Sequence, residues 1–332
     1  MKHFISCLIL TVSIVSIYSC NKDDNPVGTI TWHNVLQGTS VSSICVSGNN
    51  LLAGSSGARI FLSTDNGSSW NIVATLHAVV STPYSNVYLN PNVTIYKSGL
   101  YLFAGVRDAI QGSIYISTDN GLSWTEKDTN FIQCVNSFAS ISETVFAGTN
   151  DGVYLSTNNG INWSSSNTGL SYGNYNSIYG HAPQVVQLLA QGKTLFAGTS
   201  GEGIFRSDND GLNWIEVDNG LTNLNIYGLT SIGPYLFAGA FQFPGDSTGG
   251  IYISTNNGTN WRAANTGLTN HMINILYADG SNLLAGTNIG TFLSTNYGTS
   301  WSILDSALVT SFAVDESNLL AGTNSGIWHI SL

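Results

Sequence analysis

Charge is scarce in this 332-residue sequence: 8% of residues are Asp, Glu, Lys or Arg, with nine basic against 19 acidic. The net charge is −10 and no basic run exists. Nucleic acid and anionic membrane surfaces recruit clustered Lys and Arg, so neither is an expected partner. The charged helix formers are also thin, and Ser, Thr, Asn and 36 Gly fill the polar surface instead. That composition suits β-structure with many turns and poorly suits helices. Metal-ligand spacing is missing as well. There is no Cys-x-x-Cys, and His33, His77, His181, His271 and His329 fall into no ligand pattern, so no metal and no cofactor is expected. No phosphate-cradling glycine loop stands out, because the glycines sit in turn-like contexts.

Long apolar runs are limited to the N-terminus. Phe4 to Ile17 is apolar for about 14 residues, short of the ~20 needed to span a bilayer. It follows Lys2 and His3 and ends in IYSC, residues 17–20. This ending resembles the bacterial lipobox, which implies cleavage before Cys20 and lipid on its thiol; an ordinary secretory signal is the alternative. The following NKDDNP resembles the acidic export tag of Bacteroidota surface lipoproteins, which implies an outer-membrane lipoprotein exposed at the cell surface. The expected organisation is a signal peptide over 1–19, a lipidated tether over 20–28 and one folded domain over 29–332. Only four cysteines occur, and Cys7 leaves with the signal. Cys45 and Cys134 lie in strand-like runs of non-adjacent repeat units, which argues for two buried thiols over a bridge.

What the sequence has in abundance is repetition. STDNGSSW (63–70) recurs as STDNGLSW (117–124), STNNGINW (156–163), SDNDGLNW (207–214), STNNGTNW (254–261) and STNYGTSW (294–301). A second motif, an apolar pair followed by Ala-Gly, occurs seven times: at 51–54, 102–105, 145–148, 195–198, 236–239, 283–286 and 319–322. Between the two motifs lie alternating runs such as SIYIS and GIYIS, the period-two signature of strands. Each unit of roughly 44 residues offers four strand candidates, which reads as a propeller blade. The expected fold is therefore all-β: a single seven-bladed β-propeller of four-stranded antiparallel blades. Seven Ala-Gly copies against six octapeptides leave the last unit one strand short. TITWHNVL (29–36) reads like the Trp-led fourth strands, so Trp32 and its neighbours are expected to complete the seventh blade and close the ring.

The octapeptides resemble Asp-box (BNR) repeats, S-x-D-x-G-x-x-W. That superfamily includes sialidases, xyloglucan hydrolases, sortilin-type receptor domains and photosystem assembly factors, so it implies the propeller without fixing a function. In the family the box is a structural hairpin on the outer rim. The residues here agree: position three is Asp65 and Asp119, but Asn158, Asn209, Asn256 and Asn296. Asn keeps the acceptor oxygen and loses the charge, which a turn brace tolerates and a catalytic or calcium-binding carboxylate does not. Trp70, Trp124, Trp163, Trp214, Trp261 and Trp301 are expected to pack between sheets and turns.

Loops of a propeller alternate between two faces, and the long insertions all fall on the face opposite the octapeptides. The insertion 78–92 carries Tyr84 and Tyr88, and 105–112 carries Arg107 and Asp108. The insertion 171–184 carries Tyr172, Tyr175, Tyr179 and His181, and 240–249 carries Phe241, Phe243 and Asp246. Tyrosines among Asn, Ser and Gly on a rigid scaffold suit a sugar or a peptide, against the alternative of idle surface loops. Sialidases of the family use an arginine triad, a Tyr–Glu pair and an Asp. Here Arg59, Arg107, Arg206 and Arg262 are the only arginines, Arg206 and Arg262 flank octapeptides, and the FRIP-like motif is absent. Xyloglucan hydrolases place carboxylates across two propellers, and this chain holds one. The expected function is a surface-anchored, monomeric, non-catalytic module that binds a glycan or an envelope protein. The alternatives are a glycoside hydrolase, with Asp108 and Asp246 as its carboxylates, and a structural module of an envelope assembly.

Overall fold

The computed structural model describes residues 33–76, 91–107, 112–128, 131, 133–171, 182–242, 248–315 and 318–331. Cys20, Trp32 and everything else before residue 33 lie outside these residues. The described residues form seven four-stranded antiparallel sheets and no helix. Blade 1 contains β2 (Val41–Ser47), β3 (Asn50–Ser55), β4 (Arg59–Ser63) and β5 (Asn71–Thr75), paired in chain order. The first strands of the next six blades are β6 (Asn92–Ser98), β10 (Val135–Ile141), β14 (Val185–Gln191), β18 (Ile226–Ile232), β22 (Ile273–Asp279) and β26 (Val309–Asp315). Each packs on the next, and β26 packs on β2, so these seven strands line a closed central channel.

The Ala-Gly motif is explained by how blades meet. Its alanines are buried in every blade. Its glycines face the first strand of the following blade: a Cβ on Gly105 would stand 2.6 Å from Val135 Cβ, and one on Gly239 would stand 2.5 Å from Ile273 Cγ2. The equivalent contact for Gly322 is Val41 Cγ1 at 2.8 Å, which crosses the junction between the last blade and the first. A side chain at any of these positions would wedge two sheets apart, because interiors pack to crystal-like density.

The octapeptide is a self-contained hydrogen-bonded turn. In the first copy Ser63 Oγ donates to Asp65 Oδ1 at 2.8 Å and accepts from Gly67 N at 2.8 Å, while Ser69 N donates to Asp65 Oδ1 at 2.8 Å. The third copy repeats this with Asn158: Ser156 Oγ donates at 2.9 Å and Asn162 N at 3.0 Å to its Oδ1. One acceptor oxygen meets both demands, so Asp and Asn are interchangeable here. The fourth position takes positive φ in all six copies. Asn or Asp, which tolerate that region, fill it five times, and Tyr297 fills it once.

Hydrogen bonds from Ser69 and Ser63 hold the Asp65 carboxylate at a pKa of about 2. Asp119 is lowered in the same way, chiefly by Ser123. A depressed carboxylate stabilises the fold above its unfolded pKa, near 4, and that contribution is lost as pH falls through the folded value. Asp65→Asn is therefore expected to leave Tm within about 2 °C at pH 7 and to remove this site's share of the loss between about pH 4 and pH 2. A melting series in pH checks both, and a large drop at pH 7 would mean the charge matters.

The fourth strand departs from the sequence expectation. It starts one residue after each Trp, and in blades 2–5 it shrinks to two residues: β9 (Thr125–Glu126), β13 (Ser164–Ser165), β17 (Ile215–Glu216) and β21 (Arg262–Ala263). In blades 3–5 the chain leaves the sheet for a turn written NTGL (167–170), DNGL (218–221) and NTGL (265–268). The turn's glycines, Gly169, Gly220 and Gly267, have φ of +90°, +94° and +82°, and a Cβ on each would overlap the carbonyl of Trp214, Trp261 or Trp301 of the next blade. Those three indoles are buried and donate back across the seam, each at 2.8 Å, to Ser166, Val217 and Ala264 carbonyls. Trp70 and Trp124 lack such a turn in the preceding blade and donate to their own turn glycines, Gly67 and Gly121. Trp163 lies against Phe103, Phe131 and Phe138 with ring centroids 6.4, 5.8 and 6.3 Å away.

Ring closure follows the expected scheme. β1 (His33–Gln37) pairs antiparallel with β28 (Gly326–Ser331), the third strand of the blade begun by β26 and β27 (Asn318–Thr323). The closure sets His33 directly opposite His329, with ring centroids 5.6 Å apart. Burial, and then the charge of His33, lowers the His329 pKa. A lowered His pKa means the fold favours the neutral ring, so stability is lost as pH drops below the ordinary value near 6.5. Tm is expected to fall between pH 7 and pH 5, less so in His33→Gln; equal falls in both proteins would show that the pair is not coupled.

Neither of the two described cysteines is in a disulfide; Cys134 is buried and Cys45 partly so. Burial pushes the Cys45 thiol up to about 12, against an opposing effect of Lys97, which leaves it protonated and unreactive.

Candidate functional site

A cavity of about 460 Å³ lies in the channel, inside the size range of small-ligand sites. Its wall is built by one recurring irregularity. Six of the seven inner strands carry a register shift near their start, between Val41 and Ser43, Val135 and Ser137, Val185 and Gln187, Ile226 and Gly228, Ile273 and Ile275, and Val309 and Ser311. A bulge leaves one residue outside the ladder and re-aims its side chain. The residues so released are Ser42, Asn136, Val186, Tyr227, Asn274 and Thr310, and all six line the cavity. Blade 2 lacks the shift and supplies Thr94 at the same level. The residue before each bulge (Val41, Val135, Val185, Ile226, Ile273 and Val309) is buried, so the ring stands on a packed base.

The ring has two unlike halves. On one side its polar groups fasten neighbouring blades. Ser42 Oγ donates to Val93 O at 2.8 Å, Thr94 Oγ1 to Asn136 O at 3.3 Å, Asn136 Nδ2 to Val185 O at 2.9 Å, and Thr310 Oγ1 to Val41 O at 2.5 Å. On the other side stand Val186, Tyr227 and Asn274. Val186 has no polar side-chain atom, and Tyr227 and Asn274 make no side-chain hydrogen bond among the described residues. Asn274 is exposed, and Tyr227 lies against the ring of Phe241 with centroids 5.0 Å apart. Phe241 is held by its own backbone, whose N–H donates to Asn225 O at 2.8 Å.

One of the described lining residues is charged. Arg107 ends β7 (Tyr101–Arg107), is exposed, and donates from a terminal guanidinium nitrogen to Asn136 Oδ1 at 3.4 Å. It has no carboxylate partner among the described residues. The ion pair found there is Arg206 with Asp208 at 3.0 Å, in the blade-4 turn, where Arg206 also donates to Asn257 O of the next octapeptide. Arg206 thus braces two rim turns, well away from the channel.

The bulges and Arg107 sit where inner strands begin and second strands end. That end of the channel opens on the face that carries the insertions. Of the residues singled out in the insertions, Arg107 and Phe241 are described: the first lines the cavity and the second backs its Tyr227. Tyr84, Tyr88, Asp108, Tyr172, Tyr175, Tyr179, His181, Phe243 and Asp246 lie outside the described residues. The cavity wall is built by strand residues of the ring rather than by the long loops in which binding is expected. Its signal was present as polar or aromatic residues at the second position of the inner strands, in phase with Ala-Gly, but single-residue bulges have no compositional mark.

A family model described as DUF6242 beta propeller domain matches residues 18–147. No curated protein matches the sequence. Among solved structures, the extracellular domain of the hybrid two component system BT4673 from B. thetaiotaomicron superposes with a TM-score of 0.69 at 17% identity, over 91% of this chain and 40% of that one. This chain therefore spans about two fifths of that structure. YCF48 bound to a D1 peptide gives 0.66 at 14% identity, over 93% and 98% of the two chains. The GH74 xyloglucanase from Xanthomonas campestris gives 0.61 at 15% identity, over 90% and 53%. At such identities the likeness extends to the propeller alone, and it spans an extracellular domain, a peptide complex and an enzyme.

Proposed function

We propose that this protein is a surface-anchored binding module that recognises a glycan at the channel mouth on its insertion face. The observation that carries the reading is the polar ring of side-chain amides and hydroxyls around a cavity of about 460 Å³, with the free amide of Asn274 and the Tyr227–Phe241 ring pair on one wall. Amides offer donors and acceptors to sugar hydroxyls, and an aromatic face suits the apolar face of a pyranose. The ring sits on bulges of a rigid scaffold, so a ligand meets preformed groups with little ordering cost. Similarity to the BT4673 extracellular domain supports an extracellular setting, and the lipobox-like IYSC supports anchoring through lipid on Cys20.

Screening the purified protein against a glycan panel, with thermal shift and released reducing sugar read from the same wells, tests this. A shift without release is expected. Released sugar would make the protein a glycoside hydrolase and direct mutagenesis to Asp108 and Asp246. A flat panel with capture of a protein partner would replace the glycan.

A further inference from the structure

Arg107 is the one cation among the described residues that line the cavity, in a protein of net charge −10. The described lining residues include amides, hydroxyls and apolar groups and, besides Arg107, no ionisable group other than Tyr96 and Tyr227. Arg107 is exposed, so water solvates its guanidinium until an anion arrives, and the protein walls of the channel focus the field of that charge on the mouth. The weak contact to Asn136 Oδ1 at 3.4 Å orients the group without neutralising it. The position in the ring adds a second constraint. With seven blades in a closed circle, blade 2 stands opposite blades 5 and 6, so Arg107 faces Tyr227 and Asn274 across the mouth.

We propose that the ligand is an acidic oligosaccharide whose ring carboxylate sits on Arg107, with the sugar reaching across the mouth to Asn274 and the Tyr227–Phe241 pair. The proposal rests on the glycan reading above and narrows it to uronate-type sugars. A planar guanidinium matches a carboxylate with two parallel hydrogen bonds. The far wall supplies an amide with free valences and an aromatic face, which are the groups a pyranose uses once its carboxylate is fixed. A peptide with a free carboxylate could also reach Arg107, but the opposite wall sets the free amide of Asn274 and the Tyr227–Phe241 rings beside the apolar Val186 and Ile275, a combination that suits the hydroxyls and apolar face of a pyranose.

The test uses trigalacturonic acid, its methyl ester and an uncharged hexose oligomer, titrated calorimetrically into the purified full chain. The acid is expected to bind, with affinity falling as salt rises. The ester, which loses the charge and gains one methyl on each carboxyl, is expected to bind roughly 10- to 100-fold more weakly, the worth of a charged hydrogen-bonded contact. Arg107→Gln is expected to lose the same factor for the acid and nothing for the ester, Arg107→Lys to lose part of it, and Arg262→Gln, an exposed arginine on an outer strand, to change neither. Because Arg107 is exposed, an unchanged Tm in Arg107→Gln separates lost binding from lost fold. Equal binding of acid and ester, untouched by Arg107→Gln, would overturn the acidic-sugar inference and leave the glycan reading standing. Silence of all three sugars overturns both, as would binding of a short peptide with a free C-terminal carboxylate in their place.

Discussion

Trp261→Ala is expected to destabilise the protein by about 3–5 kcal/mol, the usual cost of truncating a buried Trp. The indole is 5% exposed and lies in a core cluster with Phe196, Val217 and Leu221, all from the preceding blade. Its N–H donates to Val217 O at 2.8 Å, and its backbone N–H donates to Asn219 O at 2.8 Å. Alanine keeps the backbone bond, empties a ring-sized volume and leaves the Val217 carbonyl unpaired in the seam. Trp70→Ala, by contrast, removes a half-buried ring whose N–H bonds to its own turn at 3.1 Å, and should cost markedly less. Chemical denaturation of both variants checks the ranking. Equal losses would contradict the division between cross-seam and self-contained tryptophans.

Deleting residues 1–37 should have an effect of similar size. It removes β1, and with it the four aligned pairs to β28 and the partly buried Val35 and Leu36. Burial of two such side chains together with the pairs amounts to roughly 3–5 kcal/mol. The loss is also topological, because β28 becomes a bare edge next to the ring junction. Gly326 shows how closely β1 fits: its φ is +143°, and a Cβ there would overlap the Leu36 carbonyl. A lowered Tm with concentration-dependent aggregation is expected. A deletion mutant as stable as the intact chain would mean that closure at β1 is dispensable.

The blade count and the closure were legible in the sequence because each rests on a repeated local rule. Seven glycines are fixed by blade-to-blade approach, and Gly54 is in place for the same reason as Gly322. The octapeptide was legible because a turn needs one acceptor and one left-handed residue, and Asp65 and Asn158 meet the first need equally. The short fourth strands were not anticipated, although NTGL and DNGL stood in the sequence. Their role depends on a tryptophan of the next blade, 34 to 45 residues later, pressing on a glycine (Gly169–Trp214, Gly220–Trp261, Gly267–Trp301), a contact that no local pattern reveals.

The site was legible in part. Arg107 was singled out as a loop residue, and it lines the cavity from the end of a strand. Phe241 was taken as a ligand-facing aromatic, and it backs Tyr227. Tyr227 and Asn274 went unremarked because, in a strand read by alternation, a residue at a bulge carries the wrong parity. Ser42 and Thr310 hold the same bulge position as Tyr227 and also carry hydroxyls, yet theirs are spent on neighbouring carbonyls at 2.8 and 2.5 Å. Latch and free group share the bulge position and its register, so only the hydrogen bonds of the folded ring distinguish them.

The most direct test of the central claim, that ligand binds at the channel mouth on the insertion face, compares two tyrosines. Tyr227 lines the cavity there, whereas Tyr235 lies beside Tyr297 on the octapeptide face, with ring centroids 6.0 Å apart. Trigalacturonic acid would be titrated into Tyr227→Ala and Tyr235→Ala under identical conditions. Loss of affinity in Tyr227→Ala alone is the predicted result. Loss in Tyr235→Ala with Tyr227→Ala unaffected would place the site on the wrong end of the propeller and contradict the account.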